Sequence, residues 1–484
     1  MNISDLPAST FTAEATTGRH EAAAVRHAVR LLIAVVVLLL VYRVVLMWTL
    51  PLADTTEARY GEIAQLTVTH GFWLMPHIDP QTPFFAKPPL STWVAAASMA
   101  VFGVNEFAAR LPSLLASLAT MLIAMAFASA LQIRRRWLVL PVLMSCPLFF
   151  VSAGAVMTDA VQMSIVIAAL YTAWRAIDAE PAQRRRWQLA FWALVGVGAL
   201  SKGLADWALI GLPLIAYALL EGRPLQIFLR LFNWGGVGIA ACIFVPWYAA
   251  AEHAYPGFLN YFIVGEHFSR FLIPGWKGDR YGIAHSQPLG TIWIFWIAAM
   301  FPWTGVFVTS FMRFVARVRS VSSLERFLWG ATLAPLVFFT FAHNIIWTYG
   351  LTAVVPFSVL VARWLERLSE QRLRIASYGL MVLSLAALAA EPTIARNVKG
   401  NSDRDLVAAF HHVAPADAVL EYHVPPVYSP HFYAPDHVRY VPSGQEAETG
   451  MPRFVVVANK DLKSQPATSQ LLFEGTRHSL VEEK

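Results

Sequence analysis

Apolar runs close to the length needed to cross a bilayer recur along this chain from residue 31 to residue 392. Roughly 20 apolar residues in a helix span the hydrocarbon layer, where every backbone polar group must be bonded internally. Repeated runs of this length point to an all-α polytopic membrane protein with about 11 spans, within a range of roughly 11–13. Composition agrees: 57% of the residues are hydrophobic and only 14% charged, against about 25% charged in soluble domains. The net charge of +6 lies largely in Lys and Arg residues of short loops between the runs. That is a topology signal and implies no nucleic-acid partner. Cys146 and Cys242 both fall inside apolar runs, so they are expected to pack in the core without forming a disulfide.

Charge asymmetry then orients the chain. Residues 1–30 form a polar tail with Arg19, Arg26 and Arg30 ahead of the first run. The positive-inside bias places this tail in the cytoplasm and makes 31–50 a retained span. The apolar stretch 90–104 is short. If it crossed, the arginines at 134–136 and those of every later loop would change sides. Laid along the outer surface as a helix, it leaves the arginines at 134–136, 184–186, 223–230, 313–319 and 363–374 all inside. The remaining spans are expected near 111–131, 137–156, 160–177, 187–201, 203–221, 232–250, 290–311, 325–342, 345–363 and 375–392. External segments are then a first loop at 51–110, a second large loop at 251–288, and short turns at 157–159, 201–202 and 343–344. Beyond 393 the apolar runs shorten and alternate with Pro, Asp and His. Strands such as Arg453–Ala458 and a helix near 403–412 suggest a small external α/β domain over 394–484, attached to a membrane domain at 31–393. This terminal region carries no catalytic motif.

Chemistry concentrates in the first external loop. Asp54, Glu57 and Arg59 lie within six positions, and Lys87 precedes Pro88 and Pro89. Pro51 ends the first span, so Asp54 is expected to face outward, where a carboxylate serves as general base toward a hydroxyl acceptor. The paired prolines start the surface helix and hold Lys87 at its entry. Asp159 opens a span after Val156-Met157-Thr158, either as a helix cap or as a second acid of the site. Lys202 interrupts an apolar hairpin at an external turn, either as an interfacial lysine or as a cation for a phosphate. Arg43, inside the first span, is expected to snorkel outward or to meet a lipid phosphate. The aromatics of 251–288 suit an interfacial belt or a groove for sugar or lipid. Glu266, His267, Asp279 and His285 lack the tight spacing of metal ligands, so structural or substrate-orienting roles are expected and no metal is assigned.

The runs DTTEARYGEIA, HGFWLMP, PFFAKPPLSTW and FGVNEFAARLPS resemble the membrane glycosyltransferases of the C superfamily. VMTDA at 156–160, SKG at 201–203, EHFSRFLIPGWKGDRYG at 266–282 and NIIWTYGL at 344–351 continue the likeness. Within that superfamily the chain looks like the branch of the lipid A aminoarabinose transferases and protein O-mannosyltransferases. The resemblance covers residues 31 to about 365 in consistent order. It implies an inverting transfer of a sugar from a polyprenyl-phosphate donor, such as undecaprenyl phosphate, to a lipid or cell-envelope glycan. The reaction would run at the periplasmic face of a bacterial inner membrane, with the N-terminus cytoplasmic. By position, Asp54 or Glu57 and Asp159 resemble the acids of the site, and Arg59, Lys87 and Lys202 the cations around the lipid phosphate. Tyr349 sits where the family has a tyrosine near the donor, and Tyr60, Glu266, His267 and His285 are the candidates for sugar or acceptor contacts.

Two positions depart from the aminoarabinose transferases. Their Asp-Glu-x-Arg-Tyr becomes Thr56-Glu57-Ala58-Arg59-Tyr60 here, with Asp54 two places earlier, so either Asp54 or Glu57 is the working carboxylate. The acid before their Lys-Pro pair is Ala86, which leaves a divalent metal without that ligand. A protein acceptor is the neighbouring alternative. From another class, a lipid-linked-sugar transporter or flippase would gather its charges near the midplane, often in repeated halves. Here they crowd the outer face, and no two halves match.

Overall fold

The computed structural model describes residues 8–441, 453–466 and 468–483. Helix α1 (Ala8–Thr49) leads into α2 (Thr56–His70), α3 (Leu90–Phe102) and α4 (Glu106–Ala130). Two short helices, α5 (Val139–Ser145) and α6 (Pro147–Ser152), precede α7 (Thr158–Asp178), α8 (Pro181–Lys202) and α9 (Leu204–Glu221). Next come α10 (Pro224–Leu231), α11 (Trp234–Ala254), a π-helical stretch Asn260–Ser269 and the single turn α12 (Arg270–Leu272). The bundle closes with α13 (Thr291–Ala299), α14 (Thr304–Ala316), α15 (Ser323–Thr340), α16 (Leu351–Glu366) and α17 (Glu370–Ala389).

The chain is an integral membrane protein of predominantly helical fold. Among the described residues, seven helices are long and apolar enough to cross a membrane, or eight if α13 and α14, bent by 115°, form one broken span. The expected count of about eleven is not reached on this measure. Segment 137–156 breaks at Pro147, which lacks the N–H needed to continue α5. Helix α8 carries Arg184, Arg185 and Arg186 near one end and Lys202 at the other, and α15 opens with Glu325 and Arg326. The helix at Leu90–Phe102 appears where a short surface helix was expected, and its 13 residues are too few to cross.

Helix α16 forms the centre of the bundle. Every residue from Leu351 to Ala362 is buried, as befits a helix that is apolar on all sides. Around it pack α4, α5, α7, α13 and α15, while α1 runs along α17. Cys146 is buried, with its thiol 3.8 Å from the Met300 sulfur. Cys242, by contrast, is exposed on α11, so the expectation that both cysteines pack in the core fails for this one. Arg43 does not snorkel. It is buried, donates to the Val151 carbonyl at 2.7 Å and lies over the Phe150 ring.

After α18 (Glu391–Gly400) and α19 (Arg404–Val413), the C-terminal region forms a five-stranded sheet of order β2-β1-β3-β5-β4. Its strands are β1 (Leu420–Tyr422), β2 (Val438–Tyr440), β3 (Arg453–Ala458), β4 (Gln470–Glu474) and β5 (His478–Glu483), with α20 (Ser429–Tyr433) between β1 and β2. β1 runs parallel to β2 and β3, and β5 is antiparallel to β3 and β4. The expected strand Arg453–Ala458 is the central one, and α19 lies where a helix near 403–412 was expected.

Candidate active site

Asp54 does not face outward. Its side chain is only 2% exposed, because the C-terminal region closes over it. Oδ1 accepts from the backbone N–H groups of Tyr428 (2.8 Å) and Ser429 (2.9 Å). Oδ2 accepts from the Ser429 hydroxyl at 2.6 Å and from Arg477 at 3.1 Å. Four donors on one carboxylate make a docking joint between the segment that follows α1 and the C-terminal region. Replacing Asp54 by Ala would strand buried donors, so a loss of about 2–3 kcal/mol is expected. Thermal unfolding, together with faster proteolysis within 414–428, checks this. Lost transfer activity at wild-type stability would instead return Asp54 to a catalytic role.

Glu57 is equally occupied. Arg110 grips it through Nε (3.1 Å) and Nη2 (2.8 Å), and the Val156 N–H donates to it at 2.9 Å. Burial alone would raise the Glu57 pKa, but Arg110 overrides that effect and holds it below the usual carboxylate range. Arg110 also donates to the carbonyls of Met47, Leu50 and Pro51, which end α1. The pair therefore staples α1, α2, α4 and the start of α7 together. Arg59 is committed too. It donates to the Tyr281 carbonyl at 2.6 Å and stacks against Tyr60 and Tyr428.

The cations that do gather are Lys87, Arg270 and Lys202. In the π-helical stretch Asn260–Ser269 the backbone hydrogen bonds join residues five apart, which brings such residues close together. Tyr261 thus donates its hydroxyl to Glu266 at 3.3 Å. Glu266 also receives Lys87 at 2.9 Å and Arg270 at 3.2 Å, and Arg270 reaches Asp279 at 3.0 Å. Burial opposes the charge on Glu266, yet Lys87 and Arg270 bring its pKa below the ordinary value. Lys87, though desolvated, is held above its usual pKa by Glu266. Beside this network lies a second one. Lys202 ends α8 and pairs with Asp159, in the first turn of α7, at 2.9 Å, both side chains being at most 10% exposed. Asp159 does not cap its helix; Met157 is the residue at the cap position, and it makes no side-chain hydrogen bond there.

Two residues join the networks. Tyr349 faces Lys202, with the ammonium 6.0 Å from its ring centre, and also lies within electrostatic reach of Lys87 and Arg270. His267 sits between the carbonyl oxygens of Phe262 (2.8 Å from Nδ1) and Lys202 (3.1 Å from Nε2). It is a brace between the π-helix and α8 more than a free sugar ligand, and burial lowers its pKa. The turn that presents Lys202 requires glycine. Gly203 has φ +63°, and a Cβ there would lie 2.7 Å from the Phe262 ring. His285 is exposed to solvent near Arg270 and Arg59; partial desolvation first, then those cations, lowers its pKa. Tyr60 flanks Lys87 and lines a narrow cleft with Ser91, Pro112, Ser113 and Thr158 between α2, α3, α4 and α7.

Glu266 and Asp279 converge on Arg270, and His267 meets the Phe262 and Lys202 carbonyls. Most of the aromatics of 251–288 pack on one another and on Phe84, Phe85 and Trp247 as a buried cluster, so they do not form an open groove. Sequence reasoning gave Asp279 a structural or substrate-orienting role and assigned none to Arg270, which lies in the 251–288 loop. The Glu266–Arg270 spacing of four, which suits a pair on one helical face, was the available signal.

Glu62 was also passed over. It is buried on α2, its Oε2 has no partner among the described residues, and His431 of α20 lies 3.9 Å from Oε1. Burial, followed by the nearby Asp79 and Asp54, pushes its pKa up to about 9. A glutamate in the unfolded chain titrates near ~4.3. This group therefore favours the folded state fully only below that pH, and stability falls as the pH rises toward about 9. Glu62→Gln is expected to flatten the fall in melting temperature between about pH 5 and pH 9. An equal slope in the variant would show that Glu62 is already charged in the fold.

Comparisons with known proteins bear on this geometry. Residues 86–249 match the family described as dolichyl-phosphate-mannose-protein mannosyltransferase. An undecaprenyl phosphate-alpha-4-amino-4-deoxy-L-arabinose arabinosyl transferase of Pseudomonas aeruginosa is 28% identical over 361 residues, 69% of this chain and 60% of the relative. A Pseudomonas fluorescens transferase of the same description is 28% identical over 355 residues, covering 69% of this chain and 58% of its own length. The chain thus spans about three fifths of the length of these curated relatives. The crystal structure of ArnT from Cupriavidus metallidurans bound to undecaprenyl phosphate superimposes with a TM-score of 0.78 at 20% identity, covering 94% of this chain and 97% of that one. Its apo form gives 0.76. In sequence the chain is similar to the aminoarabinose transferases and, over residues 86–249, to the protein mannosyltransferases, and its fold is that of the ArnT structures.

Proposed function

We propose that this protein is an inverting glycosyltransferase that moves a sugar from a polyprenyl-phosphate donor to a lipid or cell-envelope glycan at the periplasmic face of the inner membrane. The observation that carries this reading is the gathering of Lys87, Arg270 and Lys202 around Tyr349 from four distant segments of the chain. An acceptor hydroxyl attacks the anomeric carbon, the bond from that carbon to the phosphate oxygen breaks, and the lipid phosphate leaves with the electron pair. Fixed cations stabilise the charge that develops on the leaving phosphate, and a carboxylate takes the hydroxyl proton.

With Asp54 and Glu57 held by structural hydrogen bonds, Asp159 is the carboxylate assigned to that proton. A phosphate oxygen competes with it for Lys202, and as Lys202 turns to the phosphate, Asp159 is left basic beside the acceptor. Similarity to relatives named for undecaprenyl phosphate-linked aminoarabinose supports a polyprenyl-phosphate donor of that kind. The orientation that fits is eleven crossings, counting α5–α6, α8, α13–α14 and α15. The N-terminus is then cytoplasmic, and residues 394–484 form a periplasmic unit clasped to the first external loop.

The test is mass spectrometry of envelope lipids, glycans and proteins from cells with and without the protein, followed by transfer with purified protein and undecaprenyl-phosphate sugars. Loss of a pentose-, hexose- or aminosugar-sized increment from one lipid or glycan fraction is expected. An unchanged envelope, with lipid-linked sugar accumulating on the cytoplasmic side, would overturn transfer in favour of transport.

A further inference from the structure

At the end of the bundle away from Lys202 and Tyr349, the chain builds a second polar cavity. Helix α16 starts beside Tyr349 and α15 ends near Asn344, so the C-terminus of α16 and the N-terminus of α15 lie some 25 Å away at a rise of about 1.5 Å per residue. There, the end of α14, the turn before α15, the end of α16 and the start of α17 enclose about 650 Å³. Five arginines line it: Arg313, Arg317, Arg363, Arg367 and Arg372. Only Arg363 has an acidic partner among the described residues, Glu325 at 2.5 Å. The other four are exposed and make no side-chain hydrogen bond among those residues.

Loop arginines are common on one side of a membrane protein, and here four without a side-chain partner among the described residues share one cavity. Around the shallow dish next to α10, Arg184 and Arg230 are spent on the carbonyls of Ala179 and Ile177. Four like charges brought into one concavity by three separate helices repel one another and stay together only at a cost, unless an anion joins them. Guanidinium groups are suited to phosphate through paired N–H donors. The wall beside them is apolar, with Phe314, Leu360, Trp364 and Leu368 lining the cavity and Met312 and Val315 exposed on the outer side of α14.

We propose that this cavity binds the phosphate head of an anionic lipid, with the acyl chains lying along α14. The shared chemistry is a phosphate ester, and the apolar flank selects the lipid-borne form over free phosphate.

The experiment uses the full chain in phosphatidylcholine nanodiscs with and without phosphatidic acid, with retained lipid counted by native mass spectrometry. Wild-type protein is expected to retain phosphatidic acid. A variant carrying Arg313→Gln, Arg367→Gln and Arg372→Gln loses it by about tenfold or more. The charge-matched control Arg185→Gln, Arg186→Gln and Arg223→Gln retains it. Inorganic phosphate in excess does not displace it. Equal loss in the control would overturn the site in favour of general surface charge. Complete displacement by inorganic phosphate would overturn the lipid assignment.

Discussion

Asp159→Asn is expected to lower turnover by a factor of about 10²–10⁴ while binding of undecaprenyl phosphate stays within a fewfold of wild type. Asparagine keeps the shape and the hydrogen bond to Lys202 but cannot take a proton. Lys202→Met should behave differently. It removes the cation from beside Tyr349, so the loss falls on phosphate binding and on turnover together. Both side chains are nearly inaccessible to solvent, and removing one partner of a buried pair leaves the other uncompensated. The double variant Asp159→Asn, Lys202→Met therefore serves as the control for folding. If Asp159→Asn turns over at the wild-type rate, the proton goes elsewhere, and Glu62 becomes the next carboxylate to test. The measurement is a steady-state transfer assay beside equilibrium binding of the lipid phosphate.

The second large effect concerns stability. Arg110→Leu is expected to destabilise the protein by about 3–5 kcal/mol, because Glu57 would remain buried without its partner and three backbone carbonyls of α1 would lose their donor. Arg110→Lys should recover little of this. One ammonium cannot reproduce five hydrogen bonds directed from a planar fork. Glu57→Gln is expected to fall between wild type and Arg110→Leu. Melting of the detergent-solubilised variants reads the order, and an Arg110→Leu curve within about a degree of wild type would remove the staple from the account.

These predictions separate two groups of polar residues that looked alike in the sequence. Asp54, Glu57 and Arg59 lie within six positions in a segment rich in charge, which made them a catalytic constellation by proximity. Their side chains nevertheless take different tasks: Asp54 docks the C-terminal sheet, Glu57 anchors Arg110, and Arg59 braces the Tyr281 carbonyl. Lys87 and Lys202 each sit beside an apolar run, where a lysine has few ways to be satisfied, and each finds a carboxylate at 2.9 Å. Tyr349, expected near the donor, has the Lys202 ammonium 6.0 Å from its ring centre.

By itself, the sequence determined that this is a helical membrane protein and that the apolar stretch 90–104 holds a helix too short to cross, which the structure has at Leu90–Phe102. Hydrophobic length and charge asymmetry carry that information locally, within windows of about 20 residues. Only the tertiary structure decided which acids are available. The donor that holds Asp54 from Arg477 is 423 positions away, and the cations of Lys87 and Arg270 meet on Glu266 across 179 positions in one case and four in the other. A carboxylate's role is set by the donors that surround it, and in this chain those donors arrive through folding from segments that share no local pattern.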